Sequence, residues 1–166
     1  SNILEISALL PKLASVDGRL QRVTAVDHKF HIFVDFAHKP EALEKCLKEL
    51  KENCSGRLIV VFGCGGNRDK GKRSIMGKIS SEIADIVIVT DDNPRFEDAA
   101  AIRKDILEST QGAIEIAGRG KAIEKAVSIL EDGDILLVAG KGHEKYQIID
   151  GKEIYFDDVE EVRKHI

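Results

Sequence analysis

The sequence has no apolar run near the ~18 residues that a membrane-spanning helix needs. Nothing at its start joins a charged segment to an apolar one, as a secretory signal does. Membrane insertion and export are therefore not expected, and a cytoplasmic location is. Cysteine is scarce: Cys46, Cys54 and Cys64 are odd in number and lack C-x-x-C spacing, which argues against a disulfide framework and a zinc site. The five histidines, His28, His31, His38, His143 and His165, show no metal-ligand spacing of the H-E-x-x-H kind, so no metal site is expected. Positive charge is not in excess either. With 25 Lys and Arg against 29 Asp and Glu the net charge is −4, which argues against a nucleic-acid footprint, although the basic run from Arg68 to Arg73 can still receive an anion. Repeats and low-complexity linkers are also missing.

What remains is one domain's worth of chain: 166 residues, 43% apolar and 33% charged, enough for a single core. The opening Ser1-Asn2 reads as a cut end, with the natural protein beginning upstream. Short β-branched runs predict strands over Phe30 to Asp35, Leu58 to Phe62, Ile86 to Thr90, Ile114 to Ala117 and Ile135 to Ala139. Between them, apolar residues at helical spacing predict helices over Glu41 to Leu50, Ile75 to Ile83, Ala99 to Leu107 and Lys121 to Leu130. Almost wholly apolar strands joined by helical crossovers imply α/β class: a Rossmann-like open, mainly parallel sheet with helices on both faces. Ser1 to Leu13 reads as a lead-in helix, and Gly18 to Val26 with Asp27-His28 as an edge hairpin. At the other end Tyr146 to Ile149 and Glu153 to Phe156 flank Asp150-Gly151, a short carboxy-terminal hairpin, and Asp157 caps a last helix to Ile166.

In such a sheet ligands bind outside the carboxyl ends of the strands. The post-strand segments are polar and glycine-rich: Asp35 to His38, Gly63 to Asp69, Asp91 to Arg95 and Gly140 to Glu144. The pre-strand turns, Ser55-Gly56 and Asp132-Gly133, are bland by comparison. From Gly66 the run to Arg73 nearly spells G-x-x-x-x-G-K-[ST], but Arg73 stands where a hydroxyl would hold magnesium, and a cation there repels the metal. Asp91-Asp92-Asn93-Pro94-Arg95 packs charges and an amide into a loop stiffened by Pro94; a plain turn with a solvated Arg95 is the bland alternative. His38 near Asp35 suggests an acid–base pair, but no serine or cysteine is placed beside them as a nucleophile, so no catalytic residue is assigned.

Four blocks, VDFAHKPEALEKCL, VVFGCGGNRDKGKRSIMGKI, VTDDNPRFED and VAGKGHEKYQ, resemble the carboxy-terminal domain of the Mur ligases, nearest the members that add the third amino acid of the peptidoglycan precursor. The resemblance runs from about Gly18 to the last helix and implies that residues 1–166 are the amino-acid-binding domain, with the uridine-nucleotide and ATP domains outside this chain. It further implies an ATP- and magnesium-dependent carbon–nitrogen ligase in the full-length protein. There the amine of meso-diaminopimelate attacks a phosphorylated carboxyl of UDP-N-acetylmuramoyl-L-alanyl-D-glutamate, and the isolated domain is inactive. By the same resemblance Arg68, Asp92, Asn93, Pro94, Arg95, Gly140 and Glu144 match the positions that bind diaminopimelate, with arginines for carboxylates and Asp92 and Glu144 for an ammonium. Arg19, Asp35 and His38 match positions near the nucleotide when the domain closes. The implied partners are the amino acid, the UDP-muramoyl dipeptide and the ATP domain of the same natural chain, with no nucleic acid and no membrane. Phe36, Lys39 and Asn67 depart from the tyrosine, threonine and aspartate usual in the family. Two other readings stay open: a P-loop-like nucleotide phosphohydrolase using Gly66 to Lys72, and a stand-alone anion- or amino-acid-binding module.

Overall fold

The computed structural model describes residues 19–166; the lead-in helix expected over 1–13 and the start of the edge hairpin at Gly18 lie outside them. Strands β2 (His31–Asp35), β3 (Leu58–Phe62) and β6 (Ile135–Ala139) are buried at every position, which is what a strand covered on both faces requires of its side chains. With β1 (Gln21–Arg22), β4 (Ile86–Val89) and β5 (Ile114–Glu115) they form one sheet in the order β1-β2-β6-β3-β4-β5. All pairings are parallel except that of β1 with β2. Registers such as Val34↔Val138, Val61↔Val138 and Phe62↔Val89 bring the carboxyl ends of the four central strands level with one another.

Alternation along each strand splits the core in two. Phe33, Val60, Phe62, Val89 and Leu137 face helices α1 (Pro40–Glu52), α2 (Gly71–Ile83) and α3 (Ala99–Leu107). Ile32, Val34, Ile59, Val61, Ile88 and Val138 face α4 (Arg119–Ser128) and Val162 of α5 (Asp158–Arg163). The doubly covered, mainly parallel sheet is thus as expected. Local chemistry sets the helix starts: Pro40 occupies the first turn of α1, Asp98 accepts from the Ala100 amide, and Asp157 accepts from the Val159 and Glu160 amides. The hairpin of β7 (Tyr146–Ile149) and β8 (Lys152–Tyr155) turns at Asp150 and Gly151, both at positive φ, 51° and 72°.

Several element ends shift by one or two residues from expectation, as in α1, α4 and β8, and three boundaries have a structural reason or a larger shift. Helix α2 begins at Gly71, not Ile75, because its first buried residue is Arg73, which apolar spacing cannot register. Strand β5 has two residues, not four, since at this sheet edge the chain turns into α4 through Gly118 at φ 85°. The last helix stops at Arg163. Among the described residues no helix is long and apolar enough to cross a membrane.

Candidate binding site

A cavity of about 650 Å³ opens at the carboxyl edge, walled by every post-strand segment. Phe36, His38 and Lys39 follow β2, Gly65 and Arg68 follow β3, Asp92, Asn93 and Arg95 follow β4, and Gly140 and Glu144 follow β6, with Lys72 and Ile75 of α2 closing one side. Six of the seven residues expected to bind diaminopimelate therefore share one wall. Pro94 is buried behind it: a Cβ on Gly66 would sit 1.9 Å from the Pro94 carbonyl oxygen, so only glycine lets the two loops touch.

The loop after β4 is stitched to the hairpin. The Arg95 amide donates to the Ile148 carbonyl at 2.9 Å, and the Arg95 carbonyl accepts from the Asp150 amide at 2.8 Å. These bonds hold Arg95 at φ 55°, an uncommon conformation for a residue with a side chain. Its Nη1 donates to the Gly66 carbonyl at 2.9 Å, so Arg95 is braced and the solvated-turn alternative fails. Asp91 turns away from the cavity to accept from the Gly118 amide at 2.9 Å and to pair with Arg103. Asp92 lies 3.0 Å from the ammonium of Lys141, which is wholly buried, so it already has a protein cation as partner. Glu144, at 3.9 Å from the same ammonium and 27% exposed, remains a carboxylate open to a ligand.

Beyond β3 two arginines, one in the loop and one in α2, have separate fates. Arg68 is exposed, and among the described residues its Nη1 meets only the Asn67 carbonyl, at 3.0 Å. Arg73, 1% exposed, pairs with Glu97 at 2.8 Å and Asp105 at 3.0 Å and donates to the Gly65 carbonyl. Its hydrogen bond, then that of the Asn67 amide, pulls the Glu97 carboxyl down to about 2. Three of the amides that a P-loop would offer a phosphate are occupied: Gly66 donates to the Asn93 carbonyl, Asn67 to Glu97 and Gly71 to Asp69. These contacts weigh against the P-loop-like reading. Cys64 is buried, and burial pushes its thiol up to about 12, so it is no nucleophile.

Arg19, Asp35 and His38 line a second cavity of about 520 Å³ that shares Phe36, His38 and Lys39 with the first. The suggested Asp35–His38 acid–base pair does not form. Asp35 accepts from the Leu20 and Ala37 amides, each at 2.7 Å, and holds Leu20 at φ 41°. The His38 ring meets the Phe36 carbonyl through Nδ1 at 3.0 Å and stands edge-on to the Phe36 ring at 4.5 Å. Lys72 donates to the His38 carbonyl at 2.8 Å.

Sequence reasoning missed the buried cations. Lys141 was only part of a polar turn, yet its Nζ donates to Asn93 Oδ1 at 2.7 Å and to the Tyr146 carbonyl at 2.8 Å. Arg119 is fully enclosed, bound to both oxygens of Asp158 at 2.7 and 2.8 Å and to the Ala139 carbonyl at 3.0 Å. The available signal was position: a lysine between Gly140 and Gly142 directly after a buried strand has little room to reach solvent.

The family model for the Mur ligase, glutamate ligase domain, matches residues 18–142. The UDP-N-acetylmuramoyl-L-alanyl-D-glutamate--2,6-diaminopimelate ligase of Agrobacterium fabrum is 53% identical over 154 residues, which are 93% of this chain and 32% of that protein. The ligase of the same name from Rickettsia bellii is 54% identical over 155 residues, 91% of this chain and 32% of its own. A solved structure of a ligase of that name superposes with a TM-score of 0.84 at 43% identity, over 95% of this chain and 33% of the other. A folylpolyglutamate synthase of Mycobacterium tuberculosis complexed with ADP superposes at 0.60 with 21% identity, over 76% of this chain and 30% of the other, a likeness of fold alone. The chain spans about a third of the length of the curated relatives it matches.

Proposed function

The chain belongs to the Mur ligase family, and from that premise we propose that it is the amino-acid-binding, carboxy-terminal domain of the ligase that joins meso-diaminopimelate to UDP-N-acetylmuramoyl-L-alanyl-D-glutamate. On this reading the uridine nucleotide, ATP and magnesium are held mainly by parts of the protein beyond this chain, which works in the cytoplasm on peptidoglycan precursors. ATP supplies the activation of the acceptor carboxyl. This chain's own residues bind and aim the amine, and fixing the far end of diaminopimelate converts a bimolecular encounter into an oriented one.

The observation that carries the reading is the mixture of charges on one wall. Diaminopimelate has two carboxylates and two amines, and Arg68, Arg95, Asn93 and Glu144 supply donors and an acceptor around a single cavity. Arg95 is the selective element, because lysine lacks the distal carboxylate that its guanidinium meets. In the full-length ligase, Arg95→Ala should cost diaminopimelate about ten- to a hundredfold in kcat/KM, the worth of one charge-assisted hydrogen bond. Lysine, which never made the contact, should lose much less. An unchanged ratio of the two efficiencies rejects the assignment of Arg95. If the full-length protein ignores both amino acids while the domain still binds diaminopimelate in calorimetry, the stand-alone binding module is the better reading.

A further inference from the structure

The Lys141 ammonium lies behind the cavity wall with no exposed side-chain surface, and its oxygen partners come from two segments, the loop after β4 and the start of β7. It reaches Asn93 Oδ1 and the Tyr146 carbonyl as hydrogen-bond donor, and the carboxylate of Asp92 at 3.0 Å. Asn93 Oδ1 also accepts from the Ile148 amide at 3.1 Å. An amide oxygen has two lone pairs, and both are now engaged by donors that cannot accept in return. A flipped Asn93 would turn its NH2 group against an ammonium and a backbone N–H, so the orientation is dictated from below. Its Nδ2 has no hydrogen-bond partner among the described residues, while Asn93 itself forms part of the cavity wall.

We infer that Lys141 is a positioning residue for the amino-acid substrate: it locks the Asn93 amide with its donor turned to a substrate carboxylate, and it neutralises Asp92, leaving ammonium selection to Glu144. The inference rests on the functional reading above, since it needs a ligand that brings both a carboxylate and an ammonium. Its electrostatics are self-consistent. Without Lys141, the Asp92 carboxylate would stand unneutralised at the cavity wall, and only the Ile148 amide would hold the Asn93 oxygen inward.

The test uses the full-length ligase with steady-state kinetics in both substrates and a thermal melt of each variant. Lys141→Met keeps the stem and removes the charge. It should raise KM for diaminopimelate about tenfold or more while KM for ATP stays within about twofold. Asn93→Ala should raise the same KM in the wild-type background and add less than about twofold on top of Lys141→Met, because a residue acting through another is non-additive with it. Additive effects, equal rises for both substrates, or an unchanged KM overturn the proposal. Should Lys141→Met fail to fold, Asn93→Asp carries the test. It keeps an oxygen for Lys141 and Ile148 and replaces the cavity-facing donor by a carboxylate oxygen, so the expected result is a preserved melt with KM for diaminopimelate raised at least tenfold, and retention of wild-type KM rejects the donor orientation. Wild-type enzyme that does not turn over diaminopimelate sinks the functional reading and the inference together, whereas normal wild-type turnover with unaffected variants sinks the inference alone.

Discussion

At the amino edge of the sheet Asp134 accepts from the backbone amides of Arg57 and Glu131 and from the Arg57 guanidinium at 2.6 Å. Asp85 beside it accepts from the Leu58 amide at 2.7 Å and from Lys51 at 2.6 Å. The Gly56 and Gly133 backbones press so close that a Cβ on Gly56 would lie 2.7 Å from the Gly133 carbonyl carbon. This edge, whose turns look bland in the sequence, therefore carries ionic contacts of its own. The difference lies in what the contacts leave over. At the amino edge the carboxylates and backbone donors satisfy one another across a closed seam. At the carboxyl edge, among the described residues, Arg95 donates only through Nη1, Arg68 only to its neighbour's carbonyl, and Glu144 stays partly exposed around a common void. Charge density does not mark a site; unspent hydrogen-bonding capacity facing one cavity does.

That contrast can be broken most sharply from beneath the carboxyl edge. Arg119 bonds the carbonyls of Ala139 and Asp91, the residues just before Gly140 and Asp92 in the cavity wall. Arg119→Leu would leave Asp158 buried without its partner, a defect that costs about 3–5 kcal/mol, read from urea denaturation of the chain. A loss under about 1 kcal/mol would mean that solvent or another donor reaches Asp158, and that this edge is held from elsewhere.

A smaller, one-sided effect is expected at the amino edge. Asp134→Ala strands the Arg57 and Glu131 amides and should lower the melting temperature by several degrees while leaving KM for diaminopimelate within error. A raised KM would show that the two edges are coupled through the sheet. The smallest effect is in acid. The folded-state Glu97 carboxyl is held at about 2, below its ordinary 4.5, so its contribution is fully present above about 4.5 and is lost as pH falls towards 2. The stability gap between wild type and Glu97→Gln should therefore stay constant from neutral pH to about 5 and narrow only below it. A gap that already closes at pH 6 would detach Glu97 from Arg73.

Much of the architecture was legible because it depends on near neighbours. Leu58–Phe62 and Ile135–Ala139 are buried strands with the bounds that their apolar runs suggest, and Asp98, Asp157 and Asp150-Gly151 act through atoms within a few residues. The gathering of Arg68, Asp92, Asn93, Arg95, Gly140 and Glu144 was legible for a related reason: parallel strands in register bring all their carboxyl ends to one edge. Where a side chain's partner is remote, the reading stopped. Asp35 looked free to pair with His38, but the Leu20 amide, 15 residues earlier, had claimed it.

By itself, then, the sequence determined the alternation of strands and helices and the edge at which polar residues collect, because apolar periodicity, capping and turn chemistry act over a few bonds. The family showed in the four motif blocks that resemble it. The tertiary structure alone decided which charges are spent and which are offered. Arg68 and Arg73 stand five positions apart in one basic run, yet one reaches solvent and the other is clasped by Glu97 and Asp105, 24 and 32 residues onward. Lys141 is read as a polar turn until Asn93, 48 residues before it, closes over its ammonium. Desolvation and pairing are properties of the packed interior, and only folding brings those partners within hydrogen-bonding distance.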